Sequence, residues 1–246
     1  MGELHLEIIV DRISREFNIE VECGAPEVAY RETCTQAVKH EERFRKQSGG
    51  HGQYAHVIIR MEPLDKGGGY EFVNEIKGGN IPKEYIPAIE KGLKDALEEG
   101  PMAGYPVVDV KIILEDGSFH EVDSSEMAFR TCASMAFKSA FQKAKPILLE
   151  PIMKLNITTP TDFAGTITGN LCARRGRIQG IDPLNSKSQL IRASSPLANL
   201  FGYTSELRNM TQGRAGFNMQ FDFYEPVPQN LAEEIVEERR KKRLGK

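Results

Sequence analysis

His120, Asp123, Ser124 and Ser125 place an imidazole, a carboxylate and two hydroxyls within six residues. Those types are the base, orienter and nucleophile of hydrolytic chemistry. A triad is defined by convergence in space, however, and these groups are crowded along one stretch of chain. Asp123 and Ser124 also have a simpler use. Either can cap the helix that follows, and Asp123 with Glu126 three residues on has capping-box spacing. His120 is then left as a binding contact or a structural residue, with catalysis the weakest of the three readings. Glu121 and Asp123 repel phosphate, so this loop alone makes a poor phosphate magnet.

A second polar stretch runs Gln47, Ser48, Gly49, Gly50, His51, Gly52 and Gln53. Glycine-rich loops cradle phosphates, but this one lacks the GxxxxGK[ST] pattern. It also precedes a strand pattern, where a P-loop precedes a helix. It reads as a flexible polar turn whose backbone amides, with Arg45, Lys46 and Gln53 nearby, could still touch RNA phosphates and riboses. The third cluster is Arg174, Arg175 and Arg177 around Gly176. Cations there suit the C-terminal dipole of a helix, and guanidinium groups equally suit phosphate. Residues 154–223 hold eight basic and four acidic side chains, a local excess inside a chain of net charge -3.

That overall charge argues against general nucleic-acid binding and leaves local patches as the relevant signal. Cys23, Cys34, Cys132 and Cys172 are scattered, with no close pair. Neither a zinc site nor a disulfide framework is supported, and reduced thiols fit better. No apolar run approaches membrane-spanning length, and Glu3, Glu7 and Asp11 interrupt any signal-peptide pattern.

The elements that must position these residues follow from periodicity. Residues 2–17 read as a helix with Leu6, Ile9, Val10, Ile13 and Phe17 on a buried side, and 19–23 as a short strand. One helix and one strand enclose no core, which suggests the tail of a domain whose earlier part is missing, or a segment that docks on its neighbour. Residues 39–46 are charged, so a strand there is an edge or a solvent-exposed one. Strands follow at 54–61 and 70–76, then a helix with Pro87 in its first turn. A strand at 107–114 ends at the turn signal Asp116-Gly117. The next helix buries Phe129, Cys132, Ala133, Ala136, Phe137, Ala140 and Phe141 and stops before Pro146. After a boundary near 150–153 the order is βαββαβ, with helices at 163–174 and 196–209, the ferredoxin-like arrangement. A last helix from Ala232 ends in a basic, frayed tail.

These residues carry a resemblance. The stretches MGELHLEIIVDR, GAPEVAYRET, QSGGHGQY, YEFVNEIKGG, IPKEYIPAIEKG, AGYPVVDVK, DGSFHEVDSSEMAF, LLEPIMK, RRGRIQG, PLANLFGYTSELRNMTQGRA and FDFYEPVP run in family order over nearly the whole chain. Together they resemble bacterial-type translation elongation factor G, the ribosomal translocase. The resemblance implies an α+β, multidomain chain. Residues 1–25 end a ferredoxin-like third domain. Residues 26–153 form the fourth domain, a split βαβ-type arm (S5-domain-2-like). Residues 154–246 form the ferredoxin-like fifth domain and its basic tail.

The same resemblance implies a role as a translocation arm. The arm reaches the decoding region, where transfer RNA and messenger RNA move, and couples that movement to GTP hydrolysis. The GTPase and second domains, with GTP and Mg, lie outside these residues, so the fragment is expected to hold no cofactor and catalyse nothing. The implied partners are the ribosome and its RNA, with no membrane, in the cytoplasm. Gln47 to Gln53 and His120 correspond to the arm's tip loops. Arg174, Arg175 and Arg177 correspond to an RNA-facing or interdomain surface. His51 stands where many members carry arginine, which removes a positive charge from the tip at neutral pH. A ribosome-protection or ribosome-recycling paralogue is the nearest alternative reading. An autonomous hydrolase, which requires a buried convergent site at His120, is the more distant one.

Overall fold

The computed structural model describes residues 3–20, 26–48 and 51–244. In chain order the elements are α1 (Glu3–Phe17), β1 (Arg31–Cys34), β2 (Val38–Ser48), β3 (His51–Pro63), β4 (Tyr70–Asn74) and α2 (Ile86–Glu98). They continue with β5 (Val110–Ser118), α3 (Glu126–Lys143), β6 (Pro146–Pro160), α4 (Ala164–Ala173) and β7 (Arg177–Pro183). The last are β8 (Ser188–Pro196), α5 (Tyr203–Met210), β9 (Gly216–Pro226) and α6 (Gln229–Leu244). The chain forms two compact α+β units, residues 30–149 with 224–246 and residues 1–29 with 150–223.

In the first unit β2, β3, β5 and β4 form a mixed sheet in that order. The β4–β5 pair is parallel and the other two pairs are antiparallel. Alternation along β3 puts Ala55, Val57, Ile59 and Met61 on the helix side, where all four are fully buried. The α3 face expected from periodicity meets them: Phe129, Cys132, Ala133, Ala136, Phe137, Ala140 and Phe141 are each inaccessible. Burial in this core pushes the Cys132 thiol up to about 12. Phe129 stacks on Tyr85 with centroids 4.8 Å apart.

Small residues let the two helices approach closely. A Cβ on Gly92 of α2 would lie 2.3 Å from the backbone oxygen of Arg130 on α3. Helix propensity favours alanine over glycine by about 1 kcal/mol, but overpacking costs about 1–3 kcal/mol and lies at the upper end where backbone must move, so packing wins. Gly92→Ala therefore lowers stability despite improving the helix, as a denaturation midpoint will show. An unchanged or higher midpoint would mean the helices separate freely.

Several boundaries differ from the sequence expectation. The strand expected at 107–114 begins at Val110, and Val107 makes only an isolated parallel bridge to Glu32. Asp116-Gly117 is no turn. β5 runs through it to Ser118, with a register shift opposite Ile58 and Ile59. The Asp116 carboxylate accepts hydrogen bonds from the Gly117 N–H and the Asn80 amide, both at 2.8 Å. Gly117 serves close approach, since a Cβ there would sit 2.3 Å from the His56 carbonyl oxygen.

The expected flexible stretch around Gln47, Ser48, His51, Gly52 and Gln53 is also strand. β2 and β3 stay paired out to Ser48 opposite His51. Ladder hydrogen bonds use the backbone, so polar side chains do not end the pairing. Gly49 and Gly50 lie outside the described residues. The charged β2 is the sheet edge, as expected.

The second unit contains β6, α4, β7, β8, α5 and β9 in that order. Its strands lie β9-β6-β8-β7. Leu155, Ile157, Ile167, Leu171, Ile191, Ala193, Leu200, Tyr203 and Leu207 form its core. The helix expected over 196–209 is interrupted. A 3-10 turn covers Leu197–Leu200, and Gly202, at φ +73°, starts α5. The apolar side of α1 is less covered than periodicity implies. Ile9 and Phe17 are exposed, and Val10 and Ile13 are half-buried. An amphipathic stripe specifies a face but not what covers it. The strand expected at 19–23 falls mostly outside the described residues, and Ile19 and Glu20 are irregular.

The C-terminal segment packs with the 30–149 unit, where fraying was expected. The Val227 N–H donates to the Leu148 carbonyl at 2.9 Å. The Arg239 guanidinium lies 5.2 Å from the Tyr105 ring centroid, and Arg243 pairs with Glu99.

Candidate nucleic-acid interface

The β2–β3 hairpin and the β5–α3 connection meet around one open depression of about 700 Å³. Arg45, Lys46, Gln47, Gly52, Gln53 and Tyr54 line one side; Phe119, His120 and Asp123 line the other. Two stretches well separated in sequence are thus brought together.

The connection is tied to the hairpin by backbone bonds. The Tyr54 N–H donates to the Asp123 carbonyl at 2.8 Å, and the Ser124 hydroxyl donates to the Tyr54 carbonyl at 2.8 Å. The His120 N–H donates to Ser124 Oγ at 2.9 Å, and the Ser124 N–H returns to the His120 carbonyl at 3.1 Å. These bonds decide the helix cap. Asp123 and Ser124 are held by β3, so Ser125 is the cap, its hydroxyl oxygen accepting from the Ala128 N–H at 3.2 Å. The capping box expected from Asp123 is therefore not formed.

The His120 ring is oriented from behind. Its Nδ1 accepts the backbone N–H groups of Val122 and Asp123 at 3.3 and 3.2 Å. In the neutral ring Nε2 then carries the hydrogen and can donate outward. The side chain is 56% exposed, with Asp123 Oδ2 3.5 Å from Nδ1 and the Tyr54 ring edge-on at 6.3 Å. Arg45 lies 6.0 Å from the Tyr54 ring centroid, Phe119 and Val122 are exposed apolar neighbours, and Glu121 is exposed. Cation, aromatic ring and imidazole suit contacts to phosphate, base face and ribose. They do not suit hydrolysis. The ring nitrogen facing inward serves backbone amides, and both serine hydroxyls have other partners.

Sequence reasoning missed the layer beneath. Alternation along β3 puts Tyr54 and His56 on the sheet face opposite the core. There Ser118 Oγ lies 2.8 Å from the Tyr54 hydroxyl and 2.9 Å from His56 Nδ1. His56 Nε2 lies 3.1 Å from Glu41 Oε1, which also accepts from Arg43 at 2.6 Å. The Arg43 hydrogen bond and charge, with help from His56, hold the Glu41 carboxyl below the usual carboxylate range. The strand period was the available signal, but it needed the pairing register to become a cluster.

The arginine cluster is divided in its roles. Arg174 donates to the Asn199 carbonyl at 2.6 Å, pairs with Glu206 and lies 5.5 Å from the Tyr203 ring centroid. Arg174, then Asn170, keeps the Glu206 carboxyl below its ordinary range. Arg175, at φ +59°, places two nitrogens on the buried Glu150 carboxylate. Arg177 is the exposed member of the three. Among the described residues no group of three or more His, Cys, Asp or Glu is placed to hold a metal ion. Among them, too, no helix is long and apolar enough to cross a membrane.

The chain matches two family models, "Elongation factor G, domain IV" over residues 26–145 and "Elongation factor G C-terminus" over residues 147–235. It belongs to the elongation factor G family. A crystal structure of a protein from Thermus thermophilus is similar at 41% identity and a TM-score of 0.88, covering 98% of this chain. The match takes in 36% of that relative, so this chain spans little more than a third of its length. Within elongation factor G terms, the depression between hairpin and loop lies wholly in the domain IV match. Arg174, Arg175 and Arg177 lie in the C-terminal match.

Proposed function

We propose that residues 26–153 are the translocation arm of an elongation factor G, and that the depression bounded by Arg45, Tyr54 and His120 faces ribosomal, transfer or messenger RNA at the decoding region. One observation carries the reading. An outward-facing imidazole, oriented by backbone amides, shares a depression with two cations and two aromatic rings, inside a match to domain IV. The arm is a split βαβ-type (S5-domain-2-like) domain, whose parallel β4–β5 pair is joined through α2. The βαββαβ order and the β9-β6-β8-β7 strand order support a ferredoxin-like fifth domain beyond it.

The mechanism is steric and electrostatic. GTP binding and hydrolysis, with Mg, belong to a GTPase domain outside these residues, in a cytoplasmic factor. The arm converts that cycle into occupation of the space beside the moving codon–anticodon pair. Gln47, Ser48, Gly49, Gly50, His51, Gly52, Gln53 and His120 are the proposed contacts at the arm's end. In the fifth domain Arg177 is the member of its cluster best suited to RNA. Arg174 and Arg175 support the surface through Glu206 and Glu150. A tethered iron chelate at Val122→Cys, in the factor joined to its GTPase domain and bound to ribosomes, tests this. Hydroxyl-radical cleavage is expected in small-subunit decoding RNA. Cleavage confined to other regions would remove the reading.

A further inference from the structure

We infer that His56, buried on the outer face of the sheet beside Ser118, is the positioning residue that fixes the His120 loop on the hairpin. This rests on the reading above only for its consequence on the ribosome; the positioning itself stands on geometry.

His56 is 9% exposed and sits opposite Ser118 in the β3–β5 register. Its two nitrogens face different partners, Nε2 toward Glu41 at 3.1 Å and Nδ1 toward Ser118 Oγ at 2.9 Å. Glu41 is held as a carboxylate by Arg43, so it can only accept. In the neutral ring that places the hydrogen on Nε2 and leaves Nδ1 an acceptor. Ser118 must then donate its hydroxyl to His56 and accept from the Tyr54 hydroxyl at 2.8 Å. The result is a directional chain across three strands: Tyr54 to Ser118, Ser118 to His56, His56 to Glu41. Each donor has one acceptor, the condition under which such a network specifies a single arrangement.

The chain ends where the loop begins. Ser118 is the last residue of β5 and precedes Phe119 and His120. Tyr54 is the residue whose N–H and carbonyl hold Asp123 and Ser124. His56 thus acts at both feet of the loop, through Ser118 at its start and Tyr54 near its end. The Gly117 backbone passes close enough to the His56 carbonyl to exclude a side chain, which keeps Ser118 within reach of the ring. Without His56 the Ser118 hydroxyl loses its acceptor and is no longer fixed toward Tyr54.

Two variants separate positioning from mere packing. In His56→Asn the amide falls where Nδ1 lies and can still accept from Ser118. In His56→Gln it falls where Nε2 lies and reaches Glu41 instead. Amide hydrogen exchange is measured in the 246-residue chain at Tyr54, His120 and Ser124, with α3 amides as the folding control. The expected result is exchange about tenfold faster at those three sites in His56→Gln, near-native rates in His56→Asn, and unchanged α3 protection in both. Equal rates in the two variants, or loss confined to α3, would overturn the positioning role. The same variants in the factor with its GTPase domain should then slow translocation in the order of their exchange rates. Loosened loops with normal translocation would leave the positioning intact and remove the proposed function of the loop instead.

Discussion

His120→Ala, in a factor carrying its GTPase domain, slows translocation by roughly five- to thirtyfold, the loss of a contact worth ~1–2 kcal/mol in the transition state. GTP hydrolysis stays within about twofold, because an interaction made only during movement lowers one rate and not the other. The geometry says which half of the ring matters. Nδ1 is occupied by the N–H groups of Val122 and Asp123, so the outward donor is Nε2. His120→Asn keeps an acceptor at the Nδ1 position but supplies nothing at Nε2. It is therefore expected to preserve the loop yet remain slow. His120→Gln supplies a donor near Nε2 and gives up the internal acceptor. Rapid kinetics of messenger RNA movement and of phosphate release, run on all three, check this. Wild-type translocation in His120→Ala, or a parallel fall in hydrolysis, would falsify the contact role.

The largest expected effect on stability is at Glu32. This β1 side chain is fully buried, and its carboxylate accepts the backbone N–H groups of Met102, Ala103 and Tyr105 at 3.0, 2.7 and 3.0 Å. Its own N–H donates to the Pro106 carbonyl, and its carbonyl accepts from Val108. The 100–106 segment is wrapped around one carboxylate so closely that a Cβ on Gly100 would lie 2.2 Å from Glu32 Oε2. Glu32→Ala leaves three donors unpaired in a buried site and costs about 3–5 kcal/mol. Glu32→Gln keeps one acceptor oxygen and turns an NH2 toward a backbone N–H, at a cost of about 1–2 kcal/mol. Urea denaturation followed by circular dichroism ranks the two, and an Ala variant as stable as the Gln variant would remove the carboxylate from its role.

The same site has a pH signature. Burial pushes the Glu32 carboxyl above its ordinary value, and the backbone N–H groups of Ala103, Met102 and Tyr105 only partly offset this. For an acid with a raised folded value, the associated stability is fully present below the ordinary range. It is lost as pH rises through the raised value. The advantage of Glu32 over Glu32→Gln should therefore shrink as pH climbs from the ordinary carboxylate range toward neutrality. An advantage that grows over that range would show that the N–H groups outweigh burial.

Periodicity alone determined the buried face of α3, the edge character of β2 and the βαββαβ order of the second unit. Each is a local property of spacing and charge. The order of the stretches from MGELHLEIIVDR to FDFYEPVP was enough to recognise the family. His120 was legible as an exposed residue between rigid elements. Its ring orientation was not, because backbone amides two and three residues away decide it once the loop has closed.

Tertiary structure alone decided the rest. Asp116-Gly117 has the composition of a turn, but pairing with β3 carries the strand through it. Asp123 has the spacing of a cap, but Tyr54 takes its carbonyl and the cap moves to Ser125. The basic tail has the composition of a frayed end, but Tyr105 and Glu99 give its arginines partners. His56 and Ser118 lie 62 residues apart and meet only because β3 and β5 adopt one register. A sequence specifies which residues can share a face. Which faces meet depends on strand register and on close approaches such as Gly92 against Arg130, and these depend on the whole packed chain.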